Sequence, residues 1–255
     1  MEQELLNYLI IESDENTSHI DNLLISLFYP ASIILNDMLI TIPLEHKYMY
    51  LQELIHNNFI NKIKAGYTIP LKTLYEIRNY FLLFGIKIND VINLYDNLLT
   101  VFNTNKIKYE ARYSLGNNFV NEIYNQSYIT FLLTKNCRFK EMINAWMDKY
   151  KLRNIPHVFG FKIDRMNSKE IEFDIQKKFK FIYKGNVYKW AIQSVICECG
   201  DYYSIFINNG IWYLYNNKNL PAISKIDFKD NTYNIKKDCT FLIYKIDSIY
   251  PHSKN

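Results

Sequence analysis

Residues 194–217, SVICECGDYYSIFINNGIWYLYNN, predict a meander of three antiparallel strands. The stretches YYSIFIN and IWYLY are rich in β-branched and aromatic residues, and Asn209-Gly210 lies between them. Asn-Gly readily adopts the two positive φ angles that a tight hairpin turn requires. This part of the chain therefore predicts that the second half of the protein contains an antiparallel sheet.

The stretch before it extends the same prediction. Phe179, Phe181 and Tyr183 alternate with lysines, so a strand would bury the rings on one face and expose the lysines on the other. A second tight turn is expected at Gly185-Asn186, between two strand-like runs. Together these patterns predict antiparallel sheet from about residue 156 to residue 247.

The first half of the chain shows helical periodicity instead. Apolar residues recur there at spacings of three and four, which places them on one face of a helix. The two clearest runs are Tyr48, Leu51, Leu54, Ile55, Phe59 and Val91, Leu94, Leu98, Val101, Phe102. We expect at least five helices, and hence one α+β domain with a helical lobe over residues 1–150 and a sheet lobe over 151–255.

The composition is that of an ordinary globular protein. The 255 residues are 49% hydrophobic and 22% charged, with only 7 Gly and 6 Pro, which excludes disordered and fibrous classes. The net charge of +4 is too small to indicate nucleic-acid binding without a localised basic patch. The 22 Tyr and 16 Phe, with much Asn, Ile and Lys, indicate an A/T-rich genome, such as that of a large DNA virus or a parasite.

The cysteines and the first residues indicate an intracellular, cytoplasmic protein. The four cysteines show none of the dense spacing of a secreted disulfide framework, so we expect free thiols. The chain opens MEQELLNYL, with acids where a signal peptide carries basic residues. The longest apolar stretch, 23–35, is shorter than the roughly 20 residues that a membrane span requires, so no membrane contact is expected.

Several segments, in their order along the chain, resemble the motifs of the ubiquitin-specific proteases. NTSHIDNLL at 16–24 is similar to the family's Cys box, and GDYYSIFINNGIWYLYNN at 200–217 is similar to its His box. GIKINDVINLYDNLLTVF at 85–102, IPHVFGFKIDR at 155–165 and CTFLIYKID at 239–247 match further family segments. The resemblance spans nearly the whole chain and implies a papain-like α+β fold with a cleft between two lobes.

The resemblance also implies that the catalytic residues have been replaced. Ser18 stands at the nucleophile position and Asp201 at the base position, while Asn217 matches the third triad residue. A helix N-terminus and a nearby cationic His activate a thiol by lowering its pKa, but they activate a hydroxyl very little. A carboxylate is a poor proton acceptor at neutral pH. Ser13 replaces the oxyanion-stabilising Asn, and Glu15 adds a negative charge nearby. We therefore predict that the protein is not an enzyme.

His19 is the one residue that could serve as a substitute base beside Ser18. Neighbouring residues on a helix point about 100° apart, so the imidazole and the hydroxyl should not face each other. We expect His19 to be solvated or partly packed. The purely structural interpretation of residues 16–24 is a helix N-terminus capped by Thr17 or Ser18, with Asp21 in its first turn.

No metal or other cofactor is expected. Cys197 and Cys199 are two residues apart on a predicted strand and would share one face, yet a structural zinc site needs four ligands and no second ligand pair has suitable spacing. Buried free thiols are the simpler interpretation. Only Cys137 lies where the family carries its zinc-binding fingers, so we expect shortened, metal-free fingers.

The resemblance implies an inactive protein that binds or scaffolds a protein partner, ubiquitin or a ubiquitin-like tail among the candidates. Asp90, Gly200 and Tyr202 match family positions near the substrate tail, and we expect them to bind it. One alternative is a slow hydrolase that uses Ser18. Another is nucleic-acid binding by strand 177–189, through Lys177, Lys178, Lys180, Lys184 and Lys189 with their interleaved aromatic residues. We disfavour the latter because the two residue types lie on opposite faces of a strand.

Overall fold

The computed structural model describes residues 10–30, 32–115, 118–166, 168–228 and 233–252. Helices form the part of the chain up to Val101, as the apolar spacing predicts. A single 3₁₀ turn, His46–Tyr48, leads into α3, and a π-helical segment, Leu54–Ile60, joins α3 to α4. The helices are α1 (Ser18–Phe28), α2 (Ile33–Ile40), α3 (Met49–Glu53), α4 (Asn61–Lys64), α5 (Leu71–Leu83) and α6 (Val91–Val101).

Strands form most of the rest of the described chain. They are β1 (Ile107–Leu115), β2 (Asn118–Gln126), β3 (Tyr128–Leu132), β4 (Cys137–Arg138), β5 (Tyr150–Leu152), β6 (Val158–Asp164), β7 (Phe173–Asp174), β8 (Lys178–Tyr183), β9 (Asn186–Glu198), β10 (Tyr202–Asn208), β11 (Ile211–Tyr215), β12 (Ile223–Lys225) and β13 (Cys239–Pro251). Two further helices, α7 (Phe139–Lys149) and α8 (Ile235–Asp238), lie among them.

Eight strands form the main sheet. Its order is β12-β11-β10-β9-β13-β6-β3, and β8 pairs with the other half of β9. All neighbours are antiparallel except β3 and β6. A three-stranded sheet, β2-β1-β5, and a two-stranded parallel pair, β4-β7, accompany it.

The main sheet is covered on both faces. Helices α1 to α6 pack on one face, where the core includes Leu24, Phe28, Phe206 and Tyr215. On the other face, α7 covers a second, strongly aromatic core. Helix α1 contacts β9, β10 and α6 and is buried along its whole length. The first turn of α1 is thereby fixed against the sheet.

The structure confirms the α+β papain-like fold, with one correction to the helical lobe. The prediction of helix up to residue 150 is wrong for residues 107–138, where β1 to β4 lie. Ile107, Tyr109 and Ala111 are buried and Lys108 is exposed between them, so the burial has a period of two rather than 3.6. The main sheet also extends to Pro251 rather than residue 247.

The meander and the amphipathic strand form as predicted. Asn209-Gly210, with φ values of +50° and +79°, joins β10 to β11. Phe179 and Phe181 of β8 are buried, while Lys178 and Lys180 are exposed. The second turn is shifted by one residue, since Lys184 and Gly185 carry the positive φ angles.

Candidate functional site

The turn before α1 is held by the side chain of Asp14. Its carboxylate accepts hydrogen bonds from the Asn16 backbone and the Thr17 hydroxyl, both at 3.0 Å, and from the Tyr75 hydroxyl at 2.7 Å. Thr17 occupies the N-cap position, but its hydroxyl bonds this turn and makes no cap hydrogen bond to the helix. Thr17, one of the two predicted candidates, is therefore the N-cap residue but makes no capping side-chain bond, and Ser18 is the first residue of the helix.

Ser18 and Asp201 lie in contact, as the two matched motifs require. The Ser18 hydroxyl lies beside the Asp201 carboxylate and acts to lower its pKa, and the Lys218 ammonium lies 2.8 Å from Asp201 Oδ2. The backbone N–H of Tyr202 donates to Oδ1 at 2.8 Å. Partial burial acts to raise the pKa of Asp201, but the bonds from Lys218, Ser18 and Tyr202 outweigh it and hold that pKa below its usual value.

Asn217 and Ser13 also lie in contact with each other. The Asn217 amide donates a hydrogen bond to the Ser13 hydroxyl, which in turn hydrogen-bonds Asp21. The amide oxygen of Asn217 is buried and has no partner in the described part of the chain. Glu15, the second residue predicted to disturb an oxyanion site, is exposed. The four matched positions thus form two bonded pairs, Ser18 with Asp201 and Asn217 with Ser13.

Asp21 is the residue of this site that the sequence reasoning did not single out. It is fully buried, and this burial raises its pKa to about 7, against the bonds from Ser13, Tyr215 and Asn22, which act to lower it. The Tyr215 hydroxyl donates to Asp21 Oδ2 at 2.8 Å and so joins α1 to β11. An Asp followed by an Asn inside an otherwise apolar helical run was the available signal, because polar side chains in a buried helix need partners.

Asn22 continues the network to β10. Its amide nitrogen donates to the backbone carbonyl of Ser18 at 2.8 Å, and its amide oxygen accepts from the Ser204 hydroxyl at 2.5 Å. Asn22 and Ser204 are both fully buried. Asp21 and Asn22 thus bond strands β11 and β10, whereas the buried hydroxyl of Ser26, also on α1, has no partner in the described part of the chain.

His19 points away from Ser18. Its Nε2 lies 2.7 Å from the carbonyl oxygen of Ile88, and the ring is 97% buried with its centroid 6.5 Å from that of Tyr202. Burial lowers the pKa of His19. A neutral imidazole that donates to a backbone carbonyl is a packing group in this position. The expectation that His19 is solvated or only partly packed is therefore wrong, because its hydrogen bond to Ile88 lets the ring be buried.

An open cleft lies next to this polar network. Its volume is about 570 Å³, and its lining includes Asp90, Val91, Glu198 and Tyr202. The Asp90 carboxylate caps α6 by accepting from the Asn93 backbone at 2.7 Å. The Tyr202 hydroxyl hydrogen-bonds the backbone of Val91 and thereby joins β10 to α6.

The structure brings two of the three predicted binding residues together in this cleft. Asp90 and Tyr202 both line it, whereas Gly200 lies in the turn between β9 and β10, with a φ of +76°, and does not. The positive φ of Gly200 lets the chain turn so that Asp201 and Tyr202 follow directly.

The cysteines do not form the shared face that the sequence suggests. Strand β9 ends at Glu198, so Cys197 is fully buried while Cys199 lies beyond the strand and is exposed. Cys197 instead pairs across the sheet with the buried Cys239, and all four cysteines are free thiols. Within the described residues, no group of three or more His, Cys, Asp or Glu side chains could hold a metal ion.

Comparison with known proteins places the fold but no sequence family. No family model and no curated protein matches the chain. An essential yeast splicing factor matches with a TM-score of 0.63 and 10% identity, over 95% of this chain and 70% of that one. The SAGA Ubp8/Sgf11/Sus1/Sgf73 DUB module bound to ubiquitin aldehyde matches with a TM-score of 0.61 and 12% identity, over 98% and 71%. A second structure of the Ubp8-Sgf11-Sgf73-Sus1 SAGA DUB module matches with a TM-score of 0.62 and 13% identity, over 97% and 70%.

These matches show that the chain has the fold of a ubiquitin-specific protease. At 10–13% identity they show the fold alone, and the residues of the site decide what it can do. No helix among residues 10–30, 32–115, 118–166, 168–228 and 233–252 is long and apolar enough to cross a membrane.

Proposed function

We propose that this chain is a catalytically inactive protein with the ubiquitin-specific protease fold, which binds a protein partner in the cleft beside Tyr202. The partner we propose is the C-terminal tail of ubiquitin or of a ubiquitin-like protein. The main support is the contact between Ser18 and Asp201, because it fills the catalytic position with a hydroxyl that lies beside an ion-paired carboxylate.

The chemistry of this pair favours binding over cleavage. The ion pair with Lys218 helps hold the pKa of Asp201 below its usual value, which makes the carboxylate a weaker proton acceptor. Ser18 is 99% buried, so a carbonyl carbon would have little access to its oxygen. A serine hydroxyl without a competent base is a poor nucleophile at neutral pH.

The oxyanion position offers no free donor from the matched side chain. The Ser13 hydroxyl accepts a hydrogen bond from the Asn217 amide and lies beside the Asp21 carboxyl, which competes for the Ser13 proton with any developing negative charge. Oxyanion stabilisation depends on donors that are already aimed at the charge. This arrangement supports an inactive site independently of the nucleophile.

The cleft itself remains suited to a tail. Asp90 and Tyr202 line it, and both are only partly buried. Two of the similar solved structures are described as bound to ubiquitin aldehyde and to monoubiquitin, which supports ubiquitin as the first partner to test. The similarity to a splicing factor shows that this fold also occurs in a protein with a different described role.

Hydrolysis of a fluorogenic ubiquitin C-terminal conjugate tests the absence of activity. We expect micromolar wild-type protein to release fluorophore no faster than buffer, and the matched Ser18→Ala variant to behave identically. Turnover by the wild type that Ser18→Ala abolishes would contradict the proposal, and would assign Ser18 as a working nucleophile. Turnover that survives Ser18→Ala would indicate a contaminating hydrolase, which is then removed before the comparison is repeated.

A further inference from the structure

A second groove lies between α7, β5 and β8. Its volume is about 620 Å³, and it shares no lining residue with the cleft beside Tyr202. Trp146 and Phe181, which are 8% and 6% exposed, form its floor with the half-buried Tyr150. The groove is therefore apolar at its base and separate from the site described above.

Two sheet edges border this groove. Strand β5 ends the three-stranded sheet and pairs only with β1 among the described strands, while β8 pairs only with β9. The Tyr183 hydroxyl donates to the carbonyl oxygen of Arg153 at 2.6 Å and spans the two edges at one point. A strand edge without a neighbour presents a row of backbone donors and acceptors to another chain.

The direction of these backbone groups follows from the hydrogen bonds on the paired sides. The Arg153 N–H donates to the Lys108 carbonyl at 2.8 Å, so the groups of Leu152 point the other way, because backbone groups alternate along a strand. The Ile192 N–H donates to the Lys177 carbonyl at 2.8 Å. By the same alternation, Ile182 turns its N–H and carbonyl away from β9.

Every charged residue that lines the groove is basic. Arg153 forms an ion pair with Glu110, whereas Lys151 and Lys184 have no carboxylate within ion-pair distance in the described part of the chain. Lys184 lies over the ring of Tyr183, with its ammonium 5.3 Å from the centroid. Two lysines at the rim of an apolar groove favour a partner that carries negative charge.

We infer that this groove binds an extended, acidic segment of a partner protein, which joins the free edge of β8 as an additional strand. The backbone groups of Ile182 bond the segment, its apolar side chains contact Phe181 and Tyr150, and its acidic side chains approach Lys151 and Lys184. Strand addition obtains affinity from main-chain hydrogen bonds and specificity from alternate side chains. The site is distinct from the proposed tail-binding cleft.

The observations favour a peptide over single-stranded nucleic acid. Base stacking needs exposed aromatic faces, and Trp146 and Phe181 are both buried in the floor. The lysines of the groove could contact phosphate as well as carboxylate, so charge does not separate the two partners. The unpaired edge of β8, where the side chain of Ile182 is 59% exposed, is what favours a peptide, because a strand can join it.

Fluorescence anisotropy with a labelled model peptide tests the proposal. The probe is a short peptide in which glutamate alternates with valine. One control peptide carries lysine in place of glutamate, and another carries N-methyl groups on alternate amides, which block strand pairing. The protein variants are Lys151→Glu/Lys184→Glu and Ile182→Pro, with Lys72→Glu on the distant helix α5 as the charge control. Circular dichroism checks that each variant is folded.

We expect the acidic probe to bind, and both control peptides to bind at least about tenfold more weakly. The double lysine variant and Ile182→Pro should lose a similar factor, while Lys72→Glu binds as the wild type does. Proline removes an N–H on the unpaired side of β8 and so leaves the ladder to β9 intact. If Ile182→Pro fails to fold, the lysine variant and the N-methylated peptide still decide the question.

Three outcomes overturn the inference. One is the absence of binding by the acidic probe up to high micromolar protein. Another is equal binding of the N-methylated peptide, which would reduce the contact to charge alone. The third is tighter binding of an oligothymidylate that the same lysine variant abolishes and that weakens steeply with salt, because this would assign the groove to nucleic acid.

Discussion

The polar network around Ser18 and the cleft beside Tyr202 are neighbours, but most polar groups of the network are buried and bonded within the protein, while those of the cleft are partly exposed. In the network, Ser18, Asp201, Asn217, Ser13 and Asp21 bond one another or the sheet. In the cleft, side chains that cap a helix or join two elements still present one side to solvent. This difference is the basis of the proposal that the site has lost its chemistry while the adjacent cleft still binds a partner.

The pH dependence of stability should show the network most strongly. The pKa of Asp21 is about 7 in the folded protein and about 3.9 in an unfolded chain, so between these pH values the folded state holds a proton that the unfolded state has released. Its contribution is complete below about pH 4 and is lost as the pH rises toward 7. The expected loss in the free energy of unfolding is on the order of 4 kcal/mol.

Urea unfolding of wild type and Asp21→Asn across this range measures the effect. The quantity to follow is the difference in the free energy of unfolding between the two proteins. In both of them the lowered pKa of His19 makes the free energy of unfolding rise with pH below about pH 6.5, which is opposite to the effect of Asp21. Asp14, Asp96 and Asp201 also have lowered pKa values, but their contributions are lost only below about pH 4. A difference that does not change with pH would show that Asp21 titrates normally.

Rebuilding the catalytic groups should sharpen the contrast between network and cleft. Ser18→Cys/Asp201→His supplies a thiol and an imidazole, but Ser13 still offers no aimed donor, so we expect only slow release from a fluorogenic ubiquitin conjugate. Adding Ser13→Asn should raise that rate by roughly 10²–10³, the usual effect of one oxyanion donor. If the double variant already reaches the rate of the triple variant, Ser13 is not at an oxyanion position.

Removal of the buried carboxyl should destabilise the protein. Asp21→Ala leaves the Tyr215 hydroxyl without its buried acceptor and removes one of the acceptors of the Asn22 amide, so we expect a loss of about 3 kcal/mol in the free energy of unfolding at mildly acidic pH. Asp21→Asn, which keeps an acceptor oxygen, is the matched control and should lose about 1 kcal/mol or less. Equal losses for the two variants would mean that the network does not join α1 to the sheet energetically.

The smallest expected effect on stability is that of removing Lys218, the partner of Asp201. Lys218 is 67% exposed, so Lys218→Ala should change the free energy of unfolding by less than about 1 kcal/mol. The pKa of Asp201, followed by NMR, should rise in this variant because its cation is gone. An unchanged pKa would show that the ion pair does not form in solution.

Local patterns explain what the sequence could predict. Three predicted patterns depend only on residues that are close in the chain, and each formed the expected element. They are the Asn209-Gly210 turn, the alternation in β8 and the helical spacing of Val91 and Leu94. The boundary between helices and sheet was less predictable. Side chains of β1 alternate between buried and exposed, but lysine and glutamate stand among its apolar residues, so the alternation becomes clear only in the folded sheet.

The site residues divide in the same way. Ser18 and Asp201 were predicted to meet because two motifs were matched, and they do meet. Asp21 and Lys218 were missed, because a buried acid paired with Tyr215 and a lysine paired with Asp201 are products of tertiary packing between distant segments. No spacing of residues in the sequence predicts either pairing.

Titration of isotope-labelled ubiquitin with this protein, followed by NMR, tests the central claim most directly. The account predicts shifts concentrated on the C-terminal tail of ubiquitin, weakened by Asp90→Asn, which removes a charge from the cleft but keeps a helix-capping side chain. Ser18→Ala should leave the shifts unchanged, because the claim places binding in the cleft rather than at the hydroxyl. An unchanged ubiquitin spectrum at high micromolar protein would contradict the account.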